Sequence, residues 1–362
     1  MTLRRSSGLV QSQLPTGSDG TSDKQQNQMV RSAALVALCA VARADTYKPI
    51  IGILTQPTEL HADAAETAER SAFHTLKQGE YIAASYVKFV ESAGARAVPI
   101  RYAADEATMT ELVNSVNGVL FAGGSASLSN TSTYYQAGQV VYNAAVKAND
   151  AGQHFPIWGT CLGFEELARL LSGSNDRTLY PHHGTGEKRL DSENYPVPLI
   201  PVNSEAFATS RMFGGAPNEL IRAITTENVT MNNHGAGVTP SDFMDILGGT
   251  VQMLSTNVDR RGTAFVSTYE AKAYPFYGTQ WHPEKNGFEF NPKEQIPHSA
   301  HAVSVMQWVG NFLVAEARKN DHAFASTEAE QAALIYNYVT TYTGAKGSSF
   351  EEEYIWPQPG SA

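Results

Sequence analysis

A cysteine between two glycines is the residue of this chain with the clearest chemistry. Cys161 lies at the centre of Gly159-Thr160-Cys161-Leu162-Gly163, the thiol form of the G-x-S-x-G motif that holds a nucleophile on a sharp strand-to-helix turn. The flanking glycines allow that turn, and the N-terminus of the following helix favours thiolate over thiol. The alternative is a small buried core cysteine, which is common for this residue type. The motif predicts a cysteine nucleophile.

A histidine near the C-terminal side of the chain is the best candidate for the base that such a nucleophile needs. His282 follows an apolar segment, precedes Pro283 and has Glu284 two residues further on. Histidine accepts and returns a proton near neutral pH, and a nearby carboxylate can orient its imidazole. The alternative is a hydrogen-bonded residue at a strand end. The spacing of this one group is a weak signal, but its combination with the cysteine motif is strong.

These residues require a scaffold of alternating strands and helices. Four apolar strands are predicted at 49–55, 97–100, 118–121 and 155–158, with helices at 81–92, 109–116, 134–150 and 164–171. Repeated βα units with continuously apolar strands predict an α/β fold with a mainly parallel sheet covered by helices on both faces. Ligands bind at the carboxyl ends of such strands. Gly123 and Gly124 should therefore be neighbours of Cys161.

The pattern changes after the cysteine helix. Segments 251–255 and 263–269 are predicted to be antiparallel strands joined by a turn at 259–262, and 276–284 a strand that runs into a polar end. The last clear helix is predicted at 299–319. We expect one catalytic domain over 45–322 and a C-terminal extension over 323–362 whose structure the sequence does not define.

The N-terminal segment has the composition of a secretory signal. Residues 29–44 have a basic start, a short apolar run containing Cys39 and a small-x-small ending, which predicts a signal peptide cleaved after Ala44. An ordinary apolar helix is the alternative. Residues 1–28 are polar and are interpreted as a disordered leader or an upstream extension.

Secretion makes the remaining cysteine more informative. In an oxidising compartment an unpaired cysteine either forms an intermolecular disulfide or is kept for its reactivity. Two N-glycosylation sequons begin at Asn130 and Asn228. We expect a secreted protein, or one of a lysosomal or vacuolar lumen.

Composition and hydropathy argue against nucleic-acid binding and against a membrane span. The formal net charge of −10 and pI near 5.5 are unsuited to neutralising nucleic-acid phosphates. After the signal, no apolar run of the sequence approaches the ~20 residues of a membrane span. The sequence therefore predicts a protein that neither binds nucleic acid nor spans a membrane.

At its motifs the chain resembles the class I glutamine amidotransferase superfamily, and more closely the γ-glutamyl hydrolase family. The resemblance depends on Gly-Thr-Cys-Leu-Gly and Gln-Trp-His-Pro-Glu in this order, and on segments 48–57, 81–88, 158–165, 210–213 and 277–285. It covers about residues 48 to 322.

The resemblance implies hydrolysis of γ-linked glutamate from pteroylpoly-γ-glutamates through a thioester on Cys161, with no cofactor and with a homodimer as the assembly. It implies that His282 shuttles the proton and Glu284 completes the triad. It also implies that the backbone N–H groups of Leu162 and of Gly123 or Gly124 stabilise the oxyanion. His234 and Glu165 are implied as substrate contacts. His234 could also be an exposed loop histidine, and Glu165 an ordinary acidic residue in a first helical turn. Gly235-Ala236-Gly237 lack an aromatic residue that some relatives have there.

Other residues give weaker signals. His182-His183 and His298 with His301 lack the ligand-like spacing of a metal site, so no metal is predicted. A polyglutamate substrate is anionic, as is this chain, so a local basic cluster containing Arg211 and Lys285 is expected near the pocket, with Arg211 as a substrate contact. The alternatives in function are another γ-glutamyl amide hydrolase or glutamine amidohydrolase of the same fold, and a non-enzymatic glutamate-binding protein.

Overall fold

An eight-stranded sheet forms the centre of the computed structural model, which describes residues 46–58, 79–182, 186–346 and 348–357. The strand order is β4-β1-β5-β6-β12-β11-β10-β8, and the pairings from β4 through β12 are parallel. The strands are β1 (Ile50–Leu54), β4 (Arg96–Ile100), β5 (Gly118–Phe121), β6 (Ile157–Thr160), β8 (Ile200–Pro201), β10 (Val251–Val258), β11 (Ala264–Ala271) and β12 (Phe276–Thr279). The predicted α/β class with a mainly parallel sheet is confirmed, as is the antiparallel hairpin of β10 and β11.

Helices cover both faces of this sheet. They are α1 (Ala84–Ser92), α2 (Glu106–Val113), α3 (Thr133–Asp150), α4 (Leu162–Leu171), α5 (Ser204–Ala208), α6 (Asn218–Thr226), α7 (Pro240–Ile246), α8 (Lys285–Phe288), α9 (Ala300–Arg318) and α10 (Thr327–Ala333). One apolar core contains the buried sides of α2, α3 and α4, and the other those of α1, α6 and α9. The two cores fix the sheet between them, so the carboxyl ends of its parallel strands form one rigid edge.

Two smaller sheets complete the fold. β7 (Ser192–Val197) pairs with β9 (Thr230–His234), and the order of the other sheet is β13-β14-β3-β2. Its members are β2 (Gln56–Pro57), β3 (Gly79–Ala83), β13 (Thr340–Tyr342) and β14 (Glu352–Pro357).

The predicted start of the first helix was wrong. Residues 81–83 belong to β3, and α1 begins only at Ala84. β3 is a strand because it pairs with β14, in the register Ile82 with Tyr354. More than 250 residues separate these partners, so no local pattern could reveal the pairing.

The C-terminal extension, which the sequence left undefined, packs on the catalytic part of the chain. β14 pairs with β3, and the Trp356 and Ile335 side chains are buried in the core that contains α1 and α9. The backbone N–H of Glu351 donates to the buried Glu289 carboxylate at 2.6 Å. The extension thus supports the helix that starts directly after β3.

The predicted signal segment, including Cys39, lies outside the described residues, as does His183. Within the described ranges, no helix is long and apolar enough to cross a bilayer.

Candidate active site

The strand-to-helix turn at Cys161 has the geometry that its motif predicts. Cys161 lies between β6 and α4 with φ 54° and ψ −111°, a conformation that is unusual for a residue with a side chain. Its N–H donates to the Thr279 carbonyl at 2.9 Å, and its carbonyl accepts from Glu165 N at 3.0 Å. These bonds fix the cysteine backbone to β12 and to the first turn of α4.

The two glycines of the motif are required by close packing. A side chain at Gly159 would overlap with the backbone of Gly163, and one at Gly163 with the backbone of Phe121. Neither glycine is among the residues with positive φ. They allow α4 to lie directly against β5 and β6, while the unusual conformation is taken by Cys161 itself.

His282 and Glu284 form a buried pair beside the cysteine. His282 Nδ1 lies 2.7 Å from Glu284 Oε1, so this nitrogen donates to the carboxylate and Nε2 is left for the sulfur. Burial alone would lower the pKa of His282, but the Glu284 carboxylate and the Cys161 sulfur outweigh it and raise that pKa to about 10. This balance favours the imidazolium form of His282.

Backbone contacts connect His282 and Cys161 to β9. His282 N donates to the Met231 carbonyl at 2.8 Å, and the Cys161 sulfur lies 3.9 Å from the Asn233 carbonyl. Glu284 is completely buried, and its Oε2 has no hydrogen-bond partner within the described ranges. The third position of the predicted triad is therefore occupied by a buried carboxylate that binds His282 through Oε1 and also interacts with the Tyr86 hydroxyl.

Tyr86 is a site residue to which the sequence assigned no role. Its hydroxyl accepts from Gly123 N at 2.8 Å and lies 3.4 Å from His282 Nδ1. Tyr86 lies in segment 81–88, one of those that carry the family resemblance, but its helical position alone did not distinguish it from a core tyrosine. It connects α1, the Gly123 loop and His282.

The loop after β5 reaches the cysteine as predicted. A side chain at Gly123 would come within 3.3 Å of Cys161 Cβ and 2.8 Å of His282 Cε1. The Gly123 N–H, however, already donates to the Tyr86 hydroxyl. Of the two glycines predicted as oxyanion donors, Gly123 therefore has its N–H group occupied.

His234 ends β9 next to these groups and is buried. Its Nδ1 lies 2.7 Å from the Ala236 carbonyl, and its ring meets Phe265 edge to face at 4.7 Å. Burial lowers the pKa of His234 to about 3, and the charge of nearby His282 acts in the same direction. His234 is therefore a neutral histidine of the site, and the alternative of an exposed loop histidine is excluded by its burial.

Two acidic residues of α4 are buried under the turn. Glu165 Oε1 accepts from Gln280 Nε2 at 3.0 Å, and burial raises the pKa of Glu165 to about 7, against the effects of Gln280 and of the Arg189 charge. Burial also raises the pKa of Glu166, whose carboxylate fits against Gly138 of α3. Both side chains are therefore unlike the solvated acids usual in a first helical turn.

The expected basic pair does not gather at the cysteine. Arg211 binds at the opposite edge of the sheet, where its guanidinium donates to the carbonyls of Tyr274 and Ala271 and lies over the Tyr277 ring. Lys285 is buried and pairs with Glu294 at 2.6 Å. The prediction of Arg211 as a substrate contact is corrected, since its segment packs against the start of β12 and Cys161 follows the end of β6.

The two predicted glycosylation sites lie on the surface, and the histidine pairs do not form a metal site within the described residues. Asn130 and Asn228 are both exposed. No group of three or more histidine, cysteine, aspartate or glutamate side chains within the described residues is arranged to hold a metal ion.

Comparison with known proteins identifies the family of this chain. The profile of the family Peptidase C26 matches residues 49–284. The chain is similar to "Probable gamma-glutamyl hydrolase 3" of Arabidopsis thaliana, with 38% identity over 92% of this chain and 91% of the relative. It is 42% identical to "Gamma-glutamyl hydrolase" of Mus musculus over 76% of this chain and 83% of the relative, and 39% identical to that of Homo sapiens over 85% and 90%.

The chain belongs to the Peptidase C26 family. Members of this family are cysteine peptidases, and the buried Cys161, His282 and Glu284 lie within or at the end of the matched range. The protein is a hydrolase.

Proposed function

We propose that this protein hydrolyses γ-glutamyl amide bonds in pteroylpoly-γ-glutamates. The observation that carries the proposal is the pairing of Cys161 with the His282–Glu284 dyad in a chain whose curated relatives are named γ-glutamyl hydrolases.

Acylation begins from the ion pair. The Cys161 thiolate attacks the γ-carbonyl carbon, and the carbonyl electrons move to its oxygen to form a tetrahedral oxyanion. When the oxyanion collapses, the C–N bond breaks and His282 gives its proton to the departing amine nitrogen. The products of this half are a free amine and a γ-glutamyl thioester on Cys161.

Hydrolysis of the thioester returns the enzyme to its starting state. His282, now neutral, takes a proton from water, and the resulting hydroxide attacks the thioester carbon. The C–S bond breaks, which leaves the thiolate beside an imidazolium and releases the γ-carboxylic acid, and this acid then loses its proton to solvent. Glu284 holds Nδ1 throughout, so Nε2 stays directed at the reacting atoms.

Two backbone donors suit the oxyanion. Leu162 is the first residue of α4, where N–H groups are not used within the helix. On the other side we assign Gly124, because Gly123 N is bonded to Tyr86. Loss of one such donor costs roughly 3–4 kcal/mol in other hydrolases.

Two side chains line the acyl side of this pocket in the proposal. His234 is neutral and packs against Phe265, so it lines the pocket without repelling the His282 imidazolium. Glu165, with a pKa of about 7, is largely protonated in an acidic lumen and can then donate to a substrate oxygen.

The test is the product pattern from a defined pteroylpentaglutamate. The wild-type protein should release glutamate or γ-glutamyl peptides and shorter pteroylglutamates, and Cys161→Ala should lower the rate by at least ~10⁴-fold. Selective alkylation of Cys161 should abolish the reaction in parallel. Ammonia release from glutamine without cleavage of the pteroyl substrate would instead identify a glutamine amidohydrolase, and full activity in Cys161→Ala would exclude a cysteine mechanism.

We further propose secretion through residues 29–44, glycosylation at Asn130 and Asn228, and a homodimer. Exposure of both asparagines supports glycosylation. Expression in a eukaryotic host should give a protein that begins near Asp45 and loses mass on treatment with an N-glycosidase, except in the double Asn→Gln variant. Sedimentation of the purified protein measures its assembly, and a monomer at micromolar concentration would contradict the dimer.

A further inference from the structure

A loop outside the sequence motifs brings an arginine next to the active site. Leu190 N donates to the Gly235 carbonyl at 2.9 Å, and Asp191 N donates to Asp259 Oδ2 at 2.8 Å. These bonds hold the loop between the end of β9 and the β10–β11 turn. Arg189 therefore lies beside the residue that directly follows His234.

The Arg189 side chain occupies the space that a side chain of residue 235 would need. A Cβ atom on Gly235 would lie 2.5 Å from Arg189 Nε and 2.8 Å from its Cζ. Carbon atoms do not approach so closely, so the guanidinium can pack there only because residue 235 is glycine.

The charge of Arg189 reaches the pocket. It lowers the pKa of the buried Glu165, which opposes the effect of burial, and Glu165 is four residues from Cys161 in the first turn of α4. Arg189 is thereby linked to both walls of the cysteine site: to β9 through Gly235 and to α4 through Glu165.

The neighbouring arginines are paired with aspartates. Arg260 lies 3.1 Å from Asp191 Oδ1, and Arg261 also contacts Asp191 and Asp259. Arg189 has Glu193 at 3.6 Å, a partner that is 62% exposed. Exposed pairs of this kind contribute little free energy, so a substrate carboxylate can take the place of Glu193.

We infer that Arg189 binds an α-carboxylate of the γ-linked glutamate units next to the scissile bond. The inference rests on the proposed function and deepens it. Arg189 supplies the positive group that an anionic substrate needs on a protein of net charge −10.

The test compares matched substrates. In pteroyl-γ-glutamyl-γ-glutamate, the α-carboxylate of either the acyl-side or the leaving-side glutamate is replaced by a carboxamide, and kcat/KM is measured for all three compounds. The wild-type protein should prefer the carboxylate at one of the two positions. Arg189→Gln should reduce that preference by ~10- to 100-fold, with most of the change in KM.

Two further variants make the result specific. Gly235→Ala keeps Arg189 but removes the space for its guanidinium, so it should lose the same preference. Arg222→Gln is the matched control: it changes an exposed arginine of α6 that lies 3.9 Å from the Glu227 carboxylate. This variant should keep the preference for the carboxylate substrate. Arg189→Lys should restore part of the preference, since it keeps the charge.

The outcomes separate the inference from the proposed function. If the wild-type protein cleaves none of the compounds, the proposed function fails. If it cleaves them but shows no preference, or if Arg189→Gln lowers all three rates equally, the function stands and carboxylate binding by Arg189 is overturned. A lost preference at the acyl side or at the leaving side supports the inference and identifies which carboxylate is bound.

Discussion

The two edges of the parallel sheet both contain clusters of buried ionisable groups, and the clusters differ in how fully their polar atoms are bonded. At the amino edge, Glu316 accepts from Tyr277 Oη at 2.7 Å, lies 2.9 Å from His154 Nε2 and pairs with Lys319. At the carboxyl edge, Gln280 Oε1 and Glu284 Oε2 are buried without a hydrogen-bond partner in the described part of the chain.

The pKa shifts follow the same division. Burial alone would raise the pKa of Glu316, but its three partners lower it to about 2. Burial raises the pKa of Glu165 to about 7 because its partners are too weak to compensate. The cluster at the amino edge therefore stabilises the fold. The cluster at the carboxyl edge keeps unpaired buried polar groups and an unusual Cys161 backbone at the expense of stability, as active sites do.

The largest expected effect is at the carboxyl edge. His282→Gln keeps a hydrogen-bond donor for Glu284 but removes the group that transfers the proton, so kcat/KM for γ-glutamyl cleavage should fall by at least ~10³-fold. The midpoint of thermal unfolding should change by only a few degrees. Activity within tenfold of the wild-type value would show that another residue acts as the base.

The two edges should respond to pH in opposite directions. Glu165 has a folded pKa of about 7 and an ordinary value of 4.5, so its contribution to stability is complete below pH 4.5 and is lost as the pH rises through 7. Glu316, with a pKa of about 2, contributes above pH 4.5 and loses that contribution as the pH falls through 2. Each contribution is of the order of 1–3 kcal/mol.

Urea unfolding across pH 2–8 measures both effects. Glu165→Gln should flatten the stability curve between pH 4.5 and 7, and Glu316→Gln below pH 4.5. If both variants flatten the same range, the contrast between the edges is wrong.

A smaller effect is expected from Arg211 at the amino edge. Arg211→Ala removes two hydrogen bonds to carbonyls and leaves the buried Glu270 carboxylate without its guanidinium, so the free energy of unfolding should fall by about 2 kcal/mol. KM for the pteroyl substrate should be unchanged when measured well below the unfolding temperature. A tenfold rise in KM without loss of stability would restore Arg211 as a substrate contact.

The smallest expected effect concerns Tyr86. Tyr86→Phe removes the acceptor for Gly123 N, which loosens the loop that carries Gly124, and kcat should fall about 3- to 10-fold with little change in KM. Arg222→Gln provides a surface control. An unchanged kcat would mean that Tyr86 belongs to the packing of α1 alone.

Much of the molecule could be predicted because its signals are local. The strands β1, β5 and β6 are short continuous apolar runs, and Cys161 lies between a strand and a helix as its motif requires. Errors arose where distant segments decide the structure: β3 is a strand because β14 pairs with it. One error was local: α2 starts at Glu106, three residues before the predicted start, because the Asp105 side chain caps the helix by accepting from Thr108 N.

By itself the sequence determined the α/β class and identified Cys161, His282 and Glu284 as the candidate nucleophile, base and carboxylate, since each signal comes from residues that are close along the chain. Only the tertiary structure decided which other groups join them. Tyr86 and Arg189 reach the site from segments far from Cys161, while Arg211 is taken to the opposite edge. The physical reason is that burial and charge, which set the pKa of Glu165, His234 and His282, depend on everything packed around a group and not on its neighbours in sequence.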